Sequence, residues 1–286
     1  MSGLIERNLM IYFRNRSGVI FSVLGALISF VLYIIFLRDT MMGNWTQVAQ
    51  GVQLLDLWLI GGTLAVTAIT STLAGLGQMV EDRERNVLQD ITLVGLKETQ
   101  KNLSYVLSAT IIGSVMQLIL LLIMSCYFVL VDQIEIPFGQ LPMVLLIVLF
   151  SSFCFSLLFF AVISFIKRKN TLGKIETILG TAAGFMACVY VPLGLLPDFG
   201  QTLIKGTPAI YLAAWYRRLL LGPTIADAAN QLPANELAAA KTSLGIEIEW
   251  GNFAAAGYEF GILIGIGLLG LLLIVLAARH RKAELS

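Results

Sequence analysis

Long apolar runs alternate with short charged stretches along this chain, and that alternation predicts its elements. A membrane span takes about 20 consecutive apolar residues. Six runs satisfy this: Ser17 to Leu37, Leu54 to Val80, Leu103 to Val131, Leu141 to Ile166, Ile175 to Leu196 and Tyr258 to Ala278. The second carries Asp56 near its start, and the fifth and sixth carry Glu176 and Glu259 at their edges. The expected fold is therefore an all-α integral membrane protein with six transmembrane helices in one domain covering residues 1–286. The only sizeable segment outside the spans is 197–257.

Three further segments have helical periodicity without being plain spans. In residues 3–16, Ile5, Leu9, Tyr12 and Phe13 share a face, with Glu6, Arg7 and Arg14 elsewhere on the wheel. This predicts a helix lying along the membrane interface. After the second run, Glu81 to Arg85 are all charged, and then Val87, Leu88, Ile91 and Val94 recur at helical spacing. A short helix over 84–94 is expected, with Gly95 as its stop. It could rest on lipid or dock in a groove of a partner. Thr207-Pro208 is a good helix start, and Ala209 to Leu221 reads as helix up to Gly222-Pro223. With Pro192, Gly194 and Pro197 upstream, this predicts outer re-entrant helices between spans five and six. Arg217 and Arg218 are then expected to snorkel to headgroups, and 224–252 to form a small polar cap.

Charge fixes an orientation. Arg7, Arg14 and Arg16, then Arg83, Arg85, Lys97 and Lys101, then Lys167, Arg168, Lys169 and Lys174, and finally Arg279, Arg281 and Lys282 all fall on one side of the six runs. That is fourteen of the 19 basic residues. Basic loops stay in the cytoplasm, so both termini are expected there. The composition agrees with a lipid environment: 57% of residues are hydrophobic and only 13% charged, against about 25% charged in soluble domains. Cys126, Cys154 and Cys188 all sit in apolar runs, so no disulfide framework is expected.

What the runs lack matters as much. Ionisable residues deep in a span are expensive and usually functional, and here they are confined to span ends. The single histidine, His280, is in the C-terminal tail. No catalytic constellation, metal site or phosphate-binding loop is legible, so the chain is not expected to be an enzyme. Any nucleotide must be bound elsewhere. Within the second run, Thr63, Thr67, Thr70 and Ser71, with Gly61, Gly62, Gly75 and Gly77, suit either close helix packing or a weakly polar wall of a substrate path.

The order of these elements resembles the membrane subunits of type-2 ABC (ATP-binding cassette) exporters. Three stretches carry the resemblance. FSVLGALISFVLYIIFLRD (Phe21 to Asp39) and LWLIGGTLAVTAITSTLAGLGQMVED (Leu57 to Asp82) look like the first and second spans of the multidrug and antimicrobial-peptide efflux branch. PAIYLAAWYRRLLLG (Pro208 to Gly222) is similar to the family's outer segment, with Pro208, Tyr211, Arg217 and Gly222 at matching places. Asn86-Val87 stand where the family has Gly-Thr, and the proline that often follows the inner helix is missing.

The resemblance implies a permease in a bacterial plasma membrane that pairs with a second copy or a homologue. ATP and magnesium would be bound by separate ATPase subunits. Glu84, Arg85, Val87, Leu88, Ile91, Thr92 and Val94 would form the coupling helix that meets the ATPase. Thr63, Thr67, Thr70 and Ser71 would line the path, and Pro208, Tyr211, Arg217 and Gly222 would gate its exit. The cargo would be an amphipathic or hydrophobic compound: a drug, an antimicrobial peptide or a lipid-linked molecule. The competing expectation is a membrane scaffold or sensor that binds a cytoplasmic partner and transports nothing.

Overall fold

The computed structural model describes residues 1–43, 50–93, 95–231, 233–250, 253–254 and 258–283. The chain order is α1 (Ser2–Arg14), α2 (Arg16–Leu32), a π turn (Tyr33–Leu37), α3 (Arg38–Met42), α4 (Gly51–Glu84), α5 (Val87–Leu93), α6 (Glu98–Asp132), α7 (Leu141–Ile163), α8 (Lys169–Met186), α9 (Asp198–Lys205), α10 (Pro208–Ala228), α11 (Ala234–Ser243) and α12 (Glu259–Ala283). Among the described residues the only β pairing is a two-residue ladder joining 249–250 to 253–254. Four helical stretches are long and apolar enough to cross a membrane: Arg16–Met42, Gly51–Glu84, Glu98–Asp132 and Phe138–Ile163.

α4 is the axis of the bundle. Every residue from Leu54 to Ile69 is buried, as expected of a helix apolar on all sides and enclosed by others. α2, α6, α7, α8 and α10 pack around it. Small residues set the spacing: a Cβ on Gly113 of α6 would come within 2.5 Å of Thr72 on α4. Small side chains of this kind let helix backbones approach where lipid offers no hydrophobic drive. The outward faces are strongly apolar, with Leu122, Leu130, Leu146 and Phe165 each more than 60% exposed. Apolar surface on that scale calls for a lipid or protein neighbour.

Three expectations change. The fifth run is not one helix over 175–196. α8 starts earlier, at Lys169, because Glu84 accepts the Lys169 backbone N–H (2.9 Å) and so caps its first turn. It ends at Met186, and Cys188 follows in the left-handed region at φ 51°. Second, Gly222-Pro223 does not stop the outer helix: α10 continues through Pro223 to Ala228. Beyond the proline, Gln53 donates to Thr224 (3.1 Å) and Ala228 is buried. Those tertiary contacts outweigh the one helical bond that proline removes. Third, the segment after Thr224 is not a loose polar cap. Leu244, Ile246 and Ile248 are buried, and the Trp58 indole N–H donates to the Leu244 carbonyl (2.6 Å).

Candidate functional site

Five consecutive charged residues join α4 to α5, and four of them tie to other helices. Asp82 is 1% exposed and accepts a two-pronged bond from Arg7 of α1 (2.7 and 2.8 Å). It also accepts from Tyr105 of α6 (2.6 Å) and from Gln78 (2.7 Å). Forked guanidinium–carboxylate pairs are directional as well as strong. The Asp82 hydrogen bond holds the Arg7 guanidinium above its ordinary pKa. Arg83 donates to the Ile163 (3.0 Å) and Ile166 carbonyls, satisfying the end of α7. Glu81 pairs with Arg85 (2.9 Å) and with Lys169, and Glu84 caps α8. The chain then turns at Asn86, at φ 61°, a conformation asparagine tolerates better than most residues. Any displacement of α5 must therefore pull on α1, α4, α6, α7 and α8 together.

The expected coupling residues are placed as follows. Glu84 ends α4, Arg85 lies in the turn, and α5 begins at Val87 rather than at residue 84. Leu88 and Ile91 are partly buried against the chain's own core. Leu93, which the periodicity did not single out, is 85% exposed. Gln89 and Asp90 are exposed beside it. The Thr92 side chain and Val94 lie outside the described residues. So α5 turns Leu88 and Ile91 inward and leaves Leu93 exposed. The other residues that periodicity missed are Arg7, Asp82, Arg83, Tyr105 and Lys169. Their one local signal was the dense run of charge at 81–85.

Asp82→Ala is expected to cost about 3 kcal/mol, since it strands a buried phenol and a partly buried guanidinium. The measurements are the melting temperature in detergent and proteolysis at Arg7 and Arg14. An unchanged melting temperature with no faster cleavage of α1 would contradict the clasp.

Next to this cluster a cavity of about 720 Å³ opens between α1, α2, α4 and α8. Between Leu54 and Asp82, the residues of α4 that are not buried are Thr70, Ala74, Gln78 and Glu81, and all four line it. Thr177 and Thr181 of α8 and Phe21 and Leu24 of α2 form other walls. Burial pushes the Tyr12 phenol up to about 12, so it stays neutral, hydrogen-bonded to Ser22 (2.6 Å). Of the four expected path residues, only Thr70 reaches this space. Thr63, Thr67 and Ser71 are fully buried. Thr63 donates to the carbonyls of Leu59 (3.0 Å) and Ile60 (2.9 Å), and Thr67 to that of Thr63 (2.8 Å). These three serve helix packing.

At the far end, Arg217 does not reach the surface. It is fully buried against Gly62, where a Cβ would come within 2.6 Å of its Nη2. Its guanidinium donates to the carbonyls of Trp58 (3.3 Å), Leu244 (3.3 Å), Gly245 (3.5 Å), Ala187 (2.9 Å) and Cys188 (3.1 Å). It also lies 4.5 Å from the centre of the Trp58 ring, a favourable cation–π placement. Ala187 and Cys188 directly follow the end of α8, whose dipole attracts a cation. Arg218 instead pairs with Glu259 at the start of α12. Tyr211 donates to the Lys205 carbonyl (2.8 Å), Pro208 opens α10, and a Cβ on Gly222 would meet nothing within 4 Å. Tyr216 donates to Gln117 in the middle of α6 (2.7 Å), and Gln117 donates to Ser152 of α7 (2.8 Å). α10 thus runs deep among the long helices.

The family model for ABC-2 family transporter proteins matches residues 57–278. That stretch takes in most of α4, α5 to α11 and most of α12, and with them residues 81–85, the cavity's α4 and α8 walls and Arg217. No curated protein and no solved structure matches the chain.

Proposed function

This chain belongs to the ABC-2 family of transporter membrane proteins, and from that premise we propose that it is the permease half of an ATP-driven exporter for amphipathic or hydrophobic compounds. The observation that carries the proposal is the placement of α5. A short helix with an exposed leucine hangs from a charged cluster that grips five helices and borders a cavity. Family members of this kind generally work with ATPase subunits. Here α5 docks in the ATPase surface by Leu93, and closure of the ATPases around ATP and magnesium displaces it. The cluster at 81–85 transmits that displacement to α1, α4, α6, α7 and α8, and α2 and α8 wall the cavity beside it. Two permeases face each other across these helices, as homodimer or homologous pair.

In this reading six spans cross the plasma membrane with both termini inside. The spans beyond the four long helical stretches are α8 and α12. α8 has 18 residues, about 27 Å at 1.5 Å per residue, close to the hydrocarbon thickness. α9 and α10 re-enter the outer leaflet. α10 is enclosed by protein along most of its length, while α9 buries only Ile204. The cavity beside Thr70 takes cargo from the inner leaflet, and α10, locked by Arg217, forms the exit side.

The test is transport. The chain and its cassette ATPases are reconstituted into vesicles and loaded with neutral and charged lipophilic dyes. Vanadate-sensitive, ATP-dependent movement of at least one dye class is expected. An associated, hydrolysing complex that moves none of them would contradict the exporter reading.

A further inference from the structure

The cavity between α1, α2, α4 and α8 has a polarity gradient and one carboxylate without an ion pair. From Ser17 to Ile28 its α2 wall extends eleven residues, about 17 Å. At the end next to the charged cluster the lining is polar, with Asn15, Ser17, Gln78, Glu81 and Lys169. Toward the other end Leu24, Ile28 and Leu73 take over. Three lining residues are of a type that carries charge at neutral pH. Glu81 and Lys169 are bonded to each other, and Glu81 also to Arg85. The third, Glu176, has no hydrogen bond or ion pair among the described residues; Lys169, bonded to Glu81, acts on it only from beyond ion-pair distance. It is half-buried beside Gly77, 3.5 Å from where a Cβ would stand there. Tyr12 and Thr177 line the same space.

We propose that this cavity binds cationic amphiphiles, with the positive head at Glu176 and the apolar body against Phe21, Leu24 and Leu73. This names the cargo class of the site and rests on the transporter reading given above. A carboxylate without a contacting cation in a partly dehydrated pocket is raised in energy by its lost hydration. A ligand ammonium restores that balance, and the Tyr12 ring offers a π face for the same charge. The volume falls within the range of small-molecule sites. An anionic amphiphile would meet an opposing field, and a neutral one would gain only the apolar contact.

The test is binding, measured without the ATPase. The full chain in lipid nanodiscs is titrated with rhodamine 6G, a permanent cation, and with Nile red, a neutral dye, by fluorescence anisotropy. Glu176→Gln is expected to weaken rhodamine 6G about tenfold and to leave Nile red within twofold. Glu176→Asp, which keeps the charge, should stay within about threefold for both. Unchanged Nile red binding shows that the variant cavity is intact. A wild-type chain that does not bind rhodamine 6G, or a Glu176→Gln variant that binds it as wild type does, overturns the cation assignment and leaves the transporter reading standing. Failure to associate with any cassette ATPase overturns the transporter reading instead, whatever the dyes do.

Discussion

Arg217→Ala is expected to lower stability by about 3–5 kcal/mol, the largest effect of any single change outside the apolar core. The guanidinium supplies five carbonyls from three parts of the chain: α4, the end of α8, and the 244–245 segment. Without it those acceptors are buried beside an empty volume, and both deficits destabilise. No carboxylate pairs with Arg217 among the described residues, so the substitution strands dipoles, not a second charge. Arg217→Lys should recover little. A single ammonium cannot span carbonyls that the planar fork reaches from both sides. Arg218→Ala should cost less, about 2–3 kcal/mol: it strands the buried Glu259 carboxylate, which keeps the favourable N-terminal end of α12. Thermal unfolding in detergent, followed with size exclusion, checks the order. Equal and small losses for Arg217→Ala and Arg218→Ala would return Arg217 to the membrane surface.

Leu93→Asp is expected to weaken ATPase association by about 30-fold or more, the effect of losing one interface hot spot worth about 2 kcal/mol. An exposed leucine at the tip of a short helix is an anchor, and a carboxylate in its place would have to be desolvated on docking. Fold stability should not change, since Leu93 is 85% exposed. Leu88→Asp and Ile91→Asp differ. Both side chains pack against the chain's own core, so a charge there should destabilise the permease before any partner is met. The contrast separates docking from folding. If Leu93→Asp binds and hydrolyses as wild type while Leu88→Asp alone uncouples a folded protein, α5 docks by its other face.

Local pattern was sufficient for α1, for the cores of the four long spans and for the existence of α5. Each is an apolar or amphipathic run whose periodicity carries its own explanation. The pattern failed where long-range contacts decide. Two adjacent arginines in an aromatic-rich segment read as a snorkelling pair, yet Arg217 finds Trp58 159 residues away and is fully buried. Thr63, Thr67 and Ser71 share a face in the sequence, but α4 is surrounded, so a polar face on it need not border a channel. The fifth run looked continuous because Cys188 is an ordinary apolar residue in composition. Its left-handed backbone stands where Arg217 holds the Ala187 and Cys188 carbonyls. Glu176 looked like a span-edge charge, and only the fold shows that it faces a cavity while Glu81 and Lys169 neutralise each other.

The measurement closest to the central claim is association with a motor. The chain is expressed in membranes with the cassette ATPases of its own organism, then purified, and vanadate-sensitive hydrolysis is followed for wild type and Leu93→Asp. The account predicts a stable complex whose permease changes the hydrolysis rate, and a folded Leu93→Asp permease that is lost from the complex. A wild-type chain that purifies alone, with hydrolysis the same in its presence and absence, would contradict it.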